Sequence, residues 1–93
     1  MAKFLHIGFA WVGQPKTKAL EPLFNRHALD WVRYASNCWI VWTNENPGSW
    51  FDRIKPHLGP NDQLLISELD RNIGTSQGWM PAFIWDWINK SRL

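Results

Sequence analysis

The chain lacks most of the features that betray a function early. Cys38 is the single cysteine in 93 residues, which excludes an internal disulfide framework and leaves the fold to its core or to a partner, as in a reducing compartment. Charge is nearly balanced: ten Lys and Arg face eight Asp and Glu, a formal +2. A polybasic nucleic-acid tail is therefore excluded, even with a pI near 9.0. No window approaches the roughly 20 apolar residues of a membrane span. The apolar start is broken by His6, Gly8 and Gly13 and has no cleavage site, so no signal peptide, no membrane partner and a cytoplasmic location are expected. Ligand spacing such as HxxxH, a Cys/His cluster, an internal repeat and a low-complexity tract are all missing.

What is there is aromatic. Eight Trp, five Phe and one Tyr stand among 45% hydrophobic residues, too apolar for a disordered chain and too short for two cores. At this size one core is marginal, and oligomerisation is a common source of added burial.

Lys3 to Val12 (KFLHIGFAWV) carries no acid and ends at Gly13-Gln14-Pro15, the pattern of a buried central strand and a turn. The period then changes: Leu20, Leu23, Phe24 and His27 fall at helical spacing, predicting an amphipathic helix from Thr17 to about Leu29. Pro22 fits best in a first turn, where no amide donor is lost, so the start is expected nearer Ala19. Trp31 to Ala35 alternates, Ser36-Asn37 punctuates, and Cys38 to Thr43 (CWIVWT) is again β-rich; together they predict a hairpin. Asn46 is the expected N-cap of a second helix, with Pro47 at its first position and Trp50, Phe51 and Ile54 carried inward. Pro56 should end or kink that helix. After the turn Gly59-Pro60-Asn61-Asp62, Gln63 to Leu69 predicts another strand. Asp70 to Gly78 is a polar linker, and Trp79 to Leu93 an aromatic tail with helical spacing at Phe83, Ile84, Trp87 and Ile88.

The order βαββαβ predicts an α+β domain of ferredoxin-like type, a four-stranded antiparallel sheet with both helices on one face and a C-terminal helical tail. Residues 1–78 are expected as the domain with its polar linker, and 79–93 as a C-terminal helix or clasp. The sheet's second face is then bare until the tail, a second subunit or a ligand covers it.

The stretch from Ser36 to Leu69 resembles the central block of the SinR-like small bacterial proteins, related in fold to the CRISPR-associated adaptation endoribonucleases and the virulence-associated VapD proteins. The resemblance rests on Ser36, Trp39 with alternating Val41 and Thr43, Lys55-Pro56-His57-Leu58, Asn61-Asp62 and Leu64-Leu65-Ile66, about a third of the chain. It implies a ferredoxin-like fold that pairs into a homodimer. In the CRISPR-associated nucleases the first strand ends in an aspartate that serves a metal at the dimer interface. Here Ile7-Gly8-Phe9-Ala10-Trp11 has no carboxylate, and a hard cation needs oxygen ligands.

The candidate residues follow from these patterns. Asp62 sits where a turn explains it, since Asx side chains cap local amides. Glu68 and Asp70 flank a strand end. These three carboxylates carry the alternative reading, a metal-dependent endoribonuclease or toxin-like nuclease using Mg or Mn. Neither a catalytic set nor a cofactor is otherwise expected. His27 reads as a packing residue, and Cys38, without a neighbouring His or Lys, as a core residue. Trp39 and Trp42 lie on opposite faces of one strand, so at least one of them looks away from the helices. With Arg33 and the tail's Trp79, Trp85 and Trp87 they form the expected binding or dimer surface. Stacking on RNA or DNA is the other use of such rings, but few bases accompany them. The expected function is thus a non-catalytic dimeric interaction protein, with weak nucleic-acid binding as an accessory property.

Overall fold

The computed structural model describes residues 1–92. Strands β1 (Lys3–Ala10), β2 (Asp30–Ala35), β3 (Cys38–Thr43) and β4 (Gln63–Glu68) form one sheet in the order β2-β3-β1-β4, with every neighbouring pair antiparallel. Helix α1 (Thr17–His27) joins β1 to β2, and α2 (Pro47–Ile54) joins β3 to β4. The chain is therefore α+β, with a four-stranded antiparallel sheet, as the change of period along the sequence predicts. The most apolar run, β1, takes a central place beside β3, where both of its edges are paired.

Alternation along the strands sorts the side chains onto two faces. Leu5, Ile7 and Phe9 of β1 and Trp39 and Val41 of β3 meet Leu20 and Phe24 of α1 and Trp50 and Ile54 of α2, all of them buried. The rings interlock: Phe24 lies 5.1 Å from Trp39 and 5.5 Å from Trp50, centroid to centroid, nearly parallel to each. Phe9 meets the Trp39 edge at 5.3 Å. Leu64 and Ile66 of β4 and Leu58 close the rim of the same core.

Local signals explain most of the element ends. The Asn46 side chain accepts from the Ser49 amide at 2.9 Å, and Pro47 opens α2 without losing a bonded amide. Lys55, Pro56 and His57 then tighten into a 3₁₀ turn. Helix α1 differs from the expectation. It starts at Thr17, not near Ala19, and Pro22 lies inside it. The carbonyl that Pro22 cannot serve belongs to Lys18, and both residues are exposed, so it is open to solvent. A bulge between Arg33 and Ala35 shifts the β2 register beside the Ser36-Asn37 turn.

The chain continues past β4 through a 3₁₀ turn (Ile73–Thr75) to α3 (Ala82–Ile88). Ile73 and Ile84 are buried, and Trp87 packs edge-on against Phe4, 5.9 Å between centroids. Phe4 belongs to the sheet face away from α1 and α2, so α3 covers that end of the face. Among the described residues no helix is long and apolar enough to cross a membrane.

Candidate functional site: a divided sheet face

The tail divides the second sheet face into two halves of different chemistry. At one end Phe4, Trp42, Val32 and Asp30 meet α3 and the residues after it. At the other end His6, Gly8, Tyr34, Cys38, Ile40 and Leu65 are left without a covering element.

The covered half is held by Arg92. Its guanidinium donates to the Trp87 carbonyl at 2.8 Å and reaches the Asp30 carboxylate at 3.4 Å. It also stacks over two rings, with its central carbon 4.1 Å from the Trp87 centroid and 5.2 Å from that of Phe4. Lys90 joins the same Asp30 oxygen at 3.2 Å. Arginine suits this position because a planar cation stacks and hydrogen-bonds at once.

The uncovered half is built across three strands. The register puts His6 opposite Ile40 and Ser67, and Gly8 opposite Cys38 and Leu65. The His6 ring leans over Gly8, where a Cβ would stand 3.3 Å from its Cε1; a larger residue would push the ring away. Its Nε2 pairs with the Tyr34 hydroxyl from β2. Burial keeps the imidazole below its usual pKa, and so neutral at pH 7. Burial, with the Cys38 thiol as neighbour, pushes the Tyr34 hydroxyl up to about 12. Cys38 thus has Tyr34 beside it and His6 on the adjacent strand, a grouping that local sequence does not reveal. Among the described residues that the register places on this half there is no Lys, Arg, Asp or Glu. A recess of about 390 Å³ lies along it beside Gly8, Ala10, Cys38, Gln63 and Leu65, and the Leu65 side chain is 70% exposed.

The remaining candidates are placed apart. Trp39 is wholly buried under the helices, which corrects its assignment to a surface. Arg33 is on the helix side of β2, 3.9 Å from Glu21, and so is away from the open face. Trp79 is almost fully exposed, whereas Trp85 and Trp87 are half-buried. Asp62 accepts from the Val12 amide and the Gly59 amide, each at 2.8 Å, and pairs with Lys16. Lys16, then the two amides, hold its pKa down to about 2. Glu68 pairs with Lys3 at 3.7 Å, and Asp70 accepts from the Asn72 amide. Asp62 and Glu68 bracket β4, about 20 Å apart at the usual strand rise. Among the described residues no three His, Cys, Asp or Glu side chains gather.

Compared with family models, with curated proteins and with solved structures, the chain matches none.

Proposed function

We propose that the chain is a self-pairing interaction module of ferredoxin-like type, akin to the SinR-like proteins, and that the uncovered half of its sheet is where two copies meet. The observation that carries the reading is the lack of charge on that half. In a two-fold pair every residue near the axis meets its own copy, so a charge there would face itself. His6 held neutral, Gly8, Ala10, Cys38, Ile40 and Leu65 present nothing of that kind. Interface centres are likewise depleted of charge. An exposed Leu65 on the edge strand β4 adds apolar area beside the recess.

A long single strand of RNA is less well served by this half. Stacking rings would need nearby cations to meet successive phosphates, and Arg33 and Lys3 are turned to the other face and paired with acids. Size exclusion with light scattering across a concentration series tests the reading. A species of twice the 10.9 kDa chain mass is expected. A monomer at every concentration overturns it.

A further inference from the structure

The tail end of the same face holds a different kind of surface. A recess of about 310 Å³ opens where the Ile73–Thr75 turn faces the end of α3. Its floor is aromatic, made by Phe4 and the half-buried Trp42, whose ring centroids are 4.5 Å apart. Its rim is cationic: Arg71, Lys90 and Arg92. A second recess, of about 290 Å³, begins on the other side of Lys90 and Arg92 and also reaches Trp42.

The charges there do not cancel. Asp30 takes both Lys90 and Arg92, and Asp70 is engaged by the Asn72 amide. The Arg71 guanidinium, by contrast, touches the Met1 sulfur at 3.3 Å. Among the described side chains, these three cations against two carboxylates leave one positive charge in excess. The Arg92 side chain is 8% exposed, and its Nε is a buried donor with no partner among the described residues. Buried donors ordinarily find an acceptor, and Arg92 lines this recess. Asn72 and Asn89 add amide donors and acceptors to the same rim.

We propose that this recess binds a nucleoside phosphate, with the base against the Trp42 indole and the phosphate between Arg71 and Lys90. The two halves of the ligand answer the two halves of the site. A plain phosphate or carboxylate leaves the indole unused, and an uncharged aromatic leaves the cations unmatched. The volume suits one nucleotide, at the small end of ligand pockets. The neighbouring half of the face has no cation to follow further phosphates, so the ligand is a single nucleotide unit, free or at the end of a strand. The proposal is independent of the pairing of copies, because every residue it uses belongs to one chain and to the other half of the face.

The test is titration of the full chain with 5′-AMP at low salt, followed by NMR of the indole N–H signals. Saturable shifts centred on Trp42 and Trp87 are expected. Adenosine and inorganic phosphate should each bind at least about tenfold more weakly, the size expected for losing a stack or a charge-assisted contact. Arg71→Ala and Lys90→Met should each weaken 5′-AMP by about tenfold and leave adenosine unchanged. Both positions are exposed, so these variants keep the fold. A 5′-phosphorylated tetranucleotide separates the sources: tighter binding than 5′-AMP marks a strand end, equal binding the free nucleotide. No shift at several millimolar 5′-AMP, phosphate binding as well as 5′-AMP, or both variants binding like the parent chain would overturn the proposal.

Discussion

The Trp50 indole N–H donates to the Thr43 hydroxyl at 3.1 Å, and both side chains are wholly buried. Thr43 ends β3 on the helix face, and its hydroxyl also accepts the Glu45 amide at 3.1 Å. One small polar group thus satisfies a tryptophan of α2 and the backbone of the loop leading to it. Arg53, which pairs with Glu45 at 2.6 Å, lies over the Trp50 ring at 4.8 Å and closes the outer side. Trp39, in the same core, has no partner for its N–H among the described residues. The two buried tryptophans therefore differ: one is anchored by a hydrogen bond, the other held by core packing with the Arg33 guanidinium 5.9 Å from its ring centroid.

Thr43→Val tests the anchor. Valine keeps the shape but removes the acceptor, so the Trp50 N–H and the Glu45 amide are left unmatched. A loss of about 1–3 kcal/mol is expected, with a Tm lower by about 4–8 °C for each kcal/mol in a domain of this size. Chemical denaturation of the variant beside the parent chain measures it. Unchanged stability would mean that the hydroxyl is dispensable.

Asp62 gives a prediction at the acid end. Its native pKa of about 2 lies below the ordinary carboxylate value, through Lys16 and the Val12 and Gly59 amides. A depressed pKa stabilises the native state above the unfolded-state value near 4, and the contribution fades as the pH falls from there through about 2. Asp62→Asn should lower the Tm at pH 7 and flatten the loss between pH 4 and pH 2. A parent and variant with parallel Tm profiles across that window would contradict the assignment.

Tyr34 gives the corresponding prediction at the basic end. It is the single tyrosine of the chain, so absorbance of tyrosinate reports it without overlap from another tyrosine. Burial and the Cys38 neighbour raise its pKa to about 12. The neutral form is favoured in the native state, so its contribution is complete below pH 10 and is lost as the pH rises through 12. Titration should show a midpoint near 12, and Cys38→Ala should move it toward 10. A parent midpoint near 10 would refute the burial of this hydroxyl.

The part of the fold legible in the sequence is the part set by short-range rules. Period two divides Trp39 from Trp42, and Asn46-Pro47 states a helix start whose cap needs only Ser49 three residues on. The role of Asp62 was half legible: the turn explains Gly59, but Val12 lies 50 positions away. His6 and Tyr34 are 28 apart, and alternation tells which face a residue takes, not which strand becomes its neighbour. For that reason the grouping with Cys38 is not legible in the sequence. The sequence offers Arg92 only as one of the tail's cations beside Trp85, Trp87 and Lys90, because its partners Phe4 and Asp30 belong to β1 and β2. Pro22 lies inside α1 against the expectation because its exposure, invisible in the sequence, makes the missing amide harmless.

The pairing of copies yields a direct substitution test. Leu65 is 70% exposed and lies beside Gly8 on the edge strand of the uncharged half. Leu65→Asp would set two carboxylates against each other near the axis of a pair, where like charges cost several kcal/mol. The variant should run as a monomer at concentrations where the parent chain is dimeric, with its unfolding midpoint measured at low concentration little changed. A dimer that survives Leu65→Asp moves the interface off this half of the face.

Removal of the tail asks whether residues 1–78 stand alone. Ile84 is 1% exposed against the sheet, and Arg92 bridges Asp30, Trp87 and Phe4. Ending the chain at Gly78 uncovers Phe4, Trp42 and Val32 together, while α1, α2 and the core on the opposite face are untouched. Burying one isoleucine is worth about 1.5–3 kcal/mol, and the domain total at this size is about 5–15 kcal/mol. The shortened chain should therefore fold, with a Tm lower by at least about 6 °C and with new binding of a hydrophobic dye to the bared end. Arg92→Ala in the full chain should give a smaller fall in the same direction, together with faster amide exchange across α3. If the shortened chain melts at the parent temperature, α3 contributes nothing to the sheet it covers, and the division of the face into two halves fails with it.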